Sequence, residues 1–159
     1  YLILNVATNL GDHSNFVPGG VELTNSKPNR DLSVHPTDSS HPYVSGSFDT
    51  RATTLTSSDL TGWNSTETGY LSDLPTNATV VLIGDDTEPS WVEYDFGAGH
   101  VVVTTLTYGW GINGGKAAPQ DNLLLYGVNN VNGATIPEAN ALIMCLLGIA
   151  LLYIVVDRK

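Results

Sequence analysis

One stretch limits the fold more than any other: "PSWVEYDFGAGHVVVTTL", residues 89–106. "WVEYDF" alternates in polarity, "HVVVTTL" is β-branched, and "GAG" joins them. Alternation with a period of two belongs to a strand, and a two-to-three-residue glycine loop belongs to a hairpin. A chain containing this unit must build a sheet around it.

The flanking segments supply further pieces. "YLILNVA" (residues 1–7) is a short apolar run ended by the polar "TNLGDHSN", and it predicts a buried strand feeding a loop. "FVPGG" (residues 16–20) is a turn, because Pro presets φ and Gly admits positive φ. From Val21 to Asp49 the chain is polar and proline-rich, with "DLSVH" as a short edge strand. "HPYVSGSFD" holds Tyr43, Val44 and Phe48 between turn formers. In the Ser/Thr-rich stretch that follows, Leu60, Trp63, Tyr70 and Leu71 predict a loop packed on a core rather than a free linker. "ATVVLIGDD" (residues 78–86) is a buried strand. "YGWGINGGKAAP" is a glycine-rich loop, and "QDNLLLYGVNNV" (residues 120–131) is a short helix begun near Asp121. Strand, long loops, strand, hairpin and helix, in that order, predict an α/β domain rather than a symmetric β-sandwich.

Charge excludes one class of partner. The chain has 6 basic and 16 acidic side chains, a formal net charge of −10. The four charges beyond Pro137 cancel, so the whole excess lies on the first 136 residues. Phosphate binding needs clustered Lys and Arg, so no nucleic-acid partner is expected. No stretch matches an alternating Asp/Asn calcium loop. Cys145 is the sole cysteine, which rules out an internal disulfide, a Cys-His zinc cluster and a thiol nucleophile in the first 136 residues.

The last twenty-four residues, "IPEANALIMCLLGIALLYIVVDRK", differ from everything before them. Ala141–Val156 carry no charge and no polar stripe, so no face of such a helix suits water. Sixteen residues rise about 24 Å, a little under a hydrocarbon core of about 30 Å. Arg158 and Lys159 can snorkel to the far interface, and the positive end predicts a cytoplasmic C-terminus. Pro137 suits the first turn of a helix, and Glu138 sits where the macrodipole favours an anion. A single C-terminal transmembrane helix is expected, with the preceding residues outside. Cys145 is a small apolar residue of that span, and Gly148 has no partner four residues away.

The tail resembles the PEP-CTERM sorting signal of Gram-negative bacteria. Its three parts stand in order: Pro137-Glu138, the apolar span, and Arg158-Lys159. The sequence departs at Ala139, where that signal has a second proline. The resemblance implies export, recognition by an exosortase-type membrane enzyme, and sorting to the cell envelope or extracellular matrix, with membrane lipid as a partner.

The hairpin carries a second resemblance. His41-Pro42 with Gly46, then Trp63, the strand Val80–Asp85, and Val92–Thr104 with Gly97 and Gly99, resemble the C-terminal half of class I glutamine amidotransferase-like domains. This implies a partial flavodoxin-like sheet ending in the hairpin. The expected organisation is an ectodomain over residues 1–130, truncated at its N-terminus, a polar spacer over 131–136, and the sorting signal over 137–159. Active members of that family use a Cys nucleophile with a His and a Glu. No H-x-E pair and no G-x-S-x-G elbow occurs here, so the ectodomain is expected to be non-catalytic. The chain opens on Tyr1 without a signal peptide, and a fragment is the simplest reading. An enzyme whose nucleophile lies further upstream is then the alternative.

Candidate ligand residues are few. Asp85 and Asp86 close a strand at its C-terminal end, where α/β sheets place ligands. Trp63, Tyr70, Trp91, Tyr108 and Trp110 suggest an aromatic platform for extracellular polysaccharide, with Trp110 in the glycine-rich loop the best placed; the others are expected to pack. His13, His35, His41 and His100 share no metal-ligand spacing, so no metal site or other cofactor is expected, and His100 is expected to face solvent.

Overall fold

In the computed structural model, residues 1–6, 17–24, 33–63, 66–67 and 69–133 are described. The chain divides into two units, Tyr1–Asn129 and Asn130–Lys159. Of the second unit, only Asn130–Gly133, the end of a helix, is described.

The first unit is a mixed α/β structure with a sheet at its centre. Its strands are β1 (Leu2–Asn5), β2 (Glu22–Thr24), β3 (Val34–Pro36), β4 (Tyr70–Ser72), β5 (Thr79–Gly84), β6 (Pro89–Phe96) and β7 (Gly99–Thr104). The helices are α1 (Pro42–Ser45), α2 (Tyr108–Asn113) and α3 (Ala118–Gly133). Five strands form one sheet in the order β1-β7-β6-β5-β3, and β2 and β4 form a separate antiparallel ribbon. Only β1 with β7 is parallel; the other neighbours in the sheet run antiparallel.

The hairpin forms as its sequence predicts. Phe96 pairs with Gly99, leaving Gly97-Ala98 as the loop. Gly97 has a φ of 60°, the positive value that a two-residue loop of the II′ kind needs at its first position. Register then follows residue by residue: Asp95 faces His100, Glu93 faces Val102 and Trp91 faces Thr104.

Both faces of the sheet are covered. Trp91 and Val102 belong to a core that includes Tyr43 and Val44 of α1, Leu123 and Tyr126 of α3, and Trp63 from the long loop. Val92, Tyr94, Val101 and Val103 belong to the opposite core, which the β2–β4 ribbon closes with Leu71 and Leu23. Each fully buried aliphatic side chain contributes ~1.5–3 kcal/mol, so the two-sided cover supplies most of the driving force. The loop around Leu60 and Trp63 packs as expected: both are essentially buried.

Two helical segments differ from the sequence expectation. The "glycine-rich loop" contains α2, and one of its glycines, Gly111, serves packing. A Cβ on Gly111 would lie 3.0 Å from the Trp63 indole, so only glycine lets the helix sit on that ring. Helix α3 starts at Ala118, not near Asp121, because Pro119 costs nothing in a first turn and Ala117 supplies the first carbonyl. A Cβ on Gly127 of α3 would meet Ile3 Cδ1 at 2.6 Å, the movable end of that side chain. Among the described residues no helix is long and apolar enough to cross a membrane; Ala141–Val156 lie outside the described residues.

Candidate functional site

Among the described residues of the first unit, a dense group of ionisable side chains is centred on Glu93. In "WVEYDF" the alternate residues Trp91, Glu93 and Asp95 share one face of β6, the face that α1 and α3 cover. A carboxylate is thereby placed on the inward side of the sheet, where charge is costly unless paired. Its side chain is only 13% exposed.

Four elements converge on it. His41, the residue that precedes α1, places Nε2 2.9 Å from Glu93 Oε1. Tyr126 of α3 donates its hydroxyl to Oε2 at 3.0 Å. His100 of β7 places Nε2 3.3 Å from the same Oε2, and its Nδ1 lies 2.8 Å from Asp95 Oδ1. Tyr1, just ahead of β1, stacks on the His100 ring at a centroid distance of 5.3 Å. Burial pushes the Glu93 carboxyl up. Hydrogen bonds from His41, Tyr126 and His100, together with the His41 charge, outweigh that and hold it below the usual carboxylate range. Burial, with Tyr126 and Glu93 nearby, pushes the Tyr1 phenol far up.

The arrangement is built around an anion, not a cation. Each imidazole approaches a different oxygen of Glu93, so the donors surround the carboxylate and do not meet at a common point. Among the described residues no group of three or more His, Cys, Asp or Glu side chains is arranged to hold a metal ion. His41 Nδ1 is buried and has no hydrogen-bond partner. Its ring is held edge-on to Trp91 at 5.8 Å. The group can hold or move protons: His41 is largely enclosed at 10% exposure, whereas His100 keeps 30%.

Asp85 and Asp86, singled out in the sequence as ligand residues, lie elsewhere, whereas His41 and His100 meet at Glu93. Asp85 follows the end of β5, where Oδ1 meets His35 Nε2 at 2.7 Å and Oδ2 accepts the Ser33 amide at 3.1 Å. The His35 hydrogen bond and then the Ser33 amide hold its carboxyl below the usual range. Asp85 thus ties β3 to β5. Asp86 approaches Gly84 beside the buried Glu67 carboxyl, which accepts the Ser90 hydroxyl. Trp63 and Trp91 are 1% and 0% exposed, so neither offers a face to a sugar ring. Trp110 lies on α2, and its side chain is outside what the structure describes, as are His13 and the tail residues Pro137, Glu138, Arg158 and Lys159. His100 does not point to solvent as the sequence suggested. The short loop sets it opposite Asp95 on the inward face, 30% exposed.

Glu93, Tyr126 and Tyr1 escape single-residue inspection. Glu93 does have a local signal: it is a charged residue set between buried Val92 and buried Tyr94 and in phase with buried Trp91. Compared with protein-family models, curated proteins and solved structures, the chain matches none.

Proposed function

We propose that this chain is an exported surface or matrix protein, sorted and anchored through residues 137–159, and that its first unit is a non-catalytic domain of glutamine amidotransferase-like, flavodoxin-like descent. The observation that carries the proposal is the order of the tail: Pro137-Glu138, then Ala141–Val156 without a charge, then Arg158-Lys159. An exosortase-type enzyme and membrane lipid are the partners this order fits.

Two structural features support the domain reading. A parallel β1–β7 pair beside the β6–β7 hairpin is compatible with the end of a flavodoxin-like sheet. The Glu93 group wires its acids and bases to one another, and no cysteine occurs before the tail. That arrangement suits a stable extracellular scaffold better than a hydrolytic centre.

The test is fractionation of cells carrying the protein with an epitope inserted within residues 134–136. Envelope or matrix recovery is expected, and Pro137→Ala with Glu138→Ala should retain membrane association while abolishing processing. Recovery of the wild-type chain as a soluble cytoplasmic protein removes the proposal.

A further inference from the structure

His100 has two ring nitrogens, and both face carboxylate oxygens: Nδ1 at 2.8 Å from Asp95 and Nε2 at 3.3 Å from Glu93. A neutral imidazole carries one N–H. It can donate to one of these partners, and it then turns a lone pair toward the other. The imidazolium alone donates to both. The Tyr1 ring lies over the same imidazole at an interplanar angle of 21°, and the face of an aromatic ring favours a cation above it.

The surroundings agree. Glu93 and Asp95 come from β6, His41 from the start of α1, Tyr126 from α3 and Tyr1 from the entry to β1. His41 takes the other oxygen of Glu93 and needs only one N–H to do so. With both carboxylates ionised, a proton on His100 removes one unit of negative charge from the group. Asp95 is 78% exposed, so water screens its bond; the enclosed partner is Glu93.

We propose that protonated His100 is a latch that ties the start of β1, through the Tyr1 ring, to the β6–β7 hairpin and releases it when the ring loses its proton. β1 is the element with most to lose. Among the described residues its one strand neighbour is β7, and Leu2 is 40% exposed. A neutral ring must give up one carboxylate or rotate, and either change removes the cation beneath Tyr1. The latch is independent of how the chain is sorted.

Nitrogen-15 NMR of the histidine rings, with hydrogen exchange corrected for intrinsic rates, tests it between about pH 5 and about pH 8, the interval of histidine charge changes. Both ring nitrogens of His100 should carry protons at the acid end. Protection of the Val6 amide, which donates to the Thr104 carbonyl at 2.9 Å, should fall about tenfold toward the alkaline end, the size of one charge-assisted hydrogen bond. The hairpin amides of Val102 and Val103 should hold steady. In His100→Gln the Val6 protection should be low and flat across the range. In Tyr1→Leu the ring should remain doubly protonated at the acid end while the change at Val6 shrinks. A singly protonated ring at the acid end overturns the latch, and so does an undiminished change in either variant. The wild-type ring spectrum decides even if His100→Gln does not fold.

Discussion

Asn122 holds the layer that positions His41, and its replacement should be one of the costliest single changes in the first unit. The side chain is fully buried on α3. Its amide donates to the Tyr43 carbonyl at 2.8 Å and the Thr53 carbonyl at 2.7 Å, and its oxygen accepts the Thr53 amide at 2.9 Å. α1 and the strand-like loop after it are thereby clamped to one residue of one helix. Asn122→Leu fills nearly the same volume, so little cavity is left. What is lost is polar satisfaction, at ~1–3 kcal/mol for each buried group left unmade. The Tyr43 carbonyl is enclosed, whereas both Thr53 groups are only partly buried and regain some water. The sum is about 3–5 kcal/mol, a large part of the ~5–15 kcal/mol that stabilises a typical domain. With a urea slope of about 2 kcal/mol/M, the midpoint should fall by about 2 M at unchanged slope. Leu124→Asn serves as the control, because Leu124 is 58% exposed, and it should shift stability by less than about 0.5 kcal/mol. A loss below about 1 kcal/mol in Asn122→Leu, or one equal to the control, would show that the clamp carries no weight.

Other outcomes follow from single features. Glu93 has a folded-state value below its ordinary one near 4.5. Its stabilisation is therefore fully present above that pH and is lost as pH falls through the folded value; acid unfolding curves of wild type and Glu93→Gln should differ above about pH 4.5 and converge below. Gly111→Ala puts a methyl 3.0 Å from a rigid indole, so it should cost about 1–3 kcal/mol by overpacking, visible as a lower thermal midpoint. Gly127→Ala meets only the flexible end of Ile3, and a gain of ~1 kcal/mol in helix propensity offsets it, leaving the midpoint nearly unchanged. Burial pushes the Tyr108 phenol up to about 12, so alkaline absorbance titration should show it ionising only as the domain unfolds.

The local parts of this fold were legible because each rests on a local rule. Alternation and the Gly-Ala-Gly loop mark β6 and β7, the apolar run marks β1, and spaced large apolar residues mark the packed loop at Leu60 and Trp63. The parts that stayed hidden depend on distant partners. Gly111 reads as a loop residue because nothing in "YGWGING" discloses that Trp63, far upstream, requires a missing Cβ. The helix at Pro42 is four residues long, too short to show a period, and it ends at Gly46, whose φ of 70° halts it. The group around Glu93 draws on residues 1, 41, 93, 100 and 126, so only the pairing of β1 with β7 and the packing of α3 bring it together. Asp85 was noticed for its place at a strand end, and its actual partner, His35, follows from the β3–β5 register.

The parallel pairing of β1 with β7 also bears on how the chain reaches this state. Leu2 meets Val101, a partner made about a hundred residues later. The hairpin can close on its own within microseconds of emerging, but β1 must wait for it, with its apolar run unpaired meanwhile. Such a long loop closure slows folding, and a waiting apolar strand invites wrong pairings. During synthesis, Leu2–Asn5 is therefore open to wrong partners until its own strand has been made.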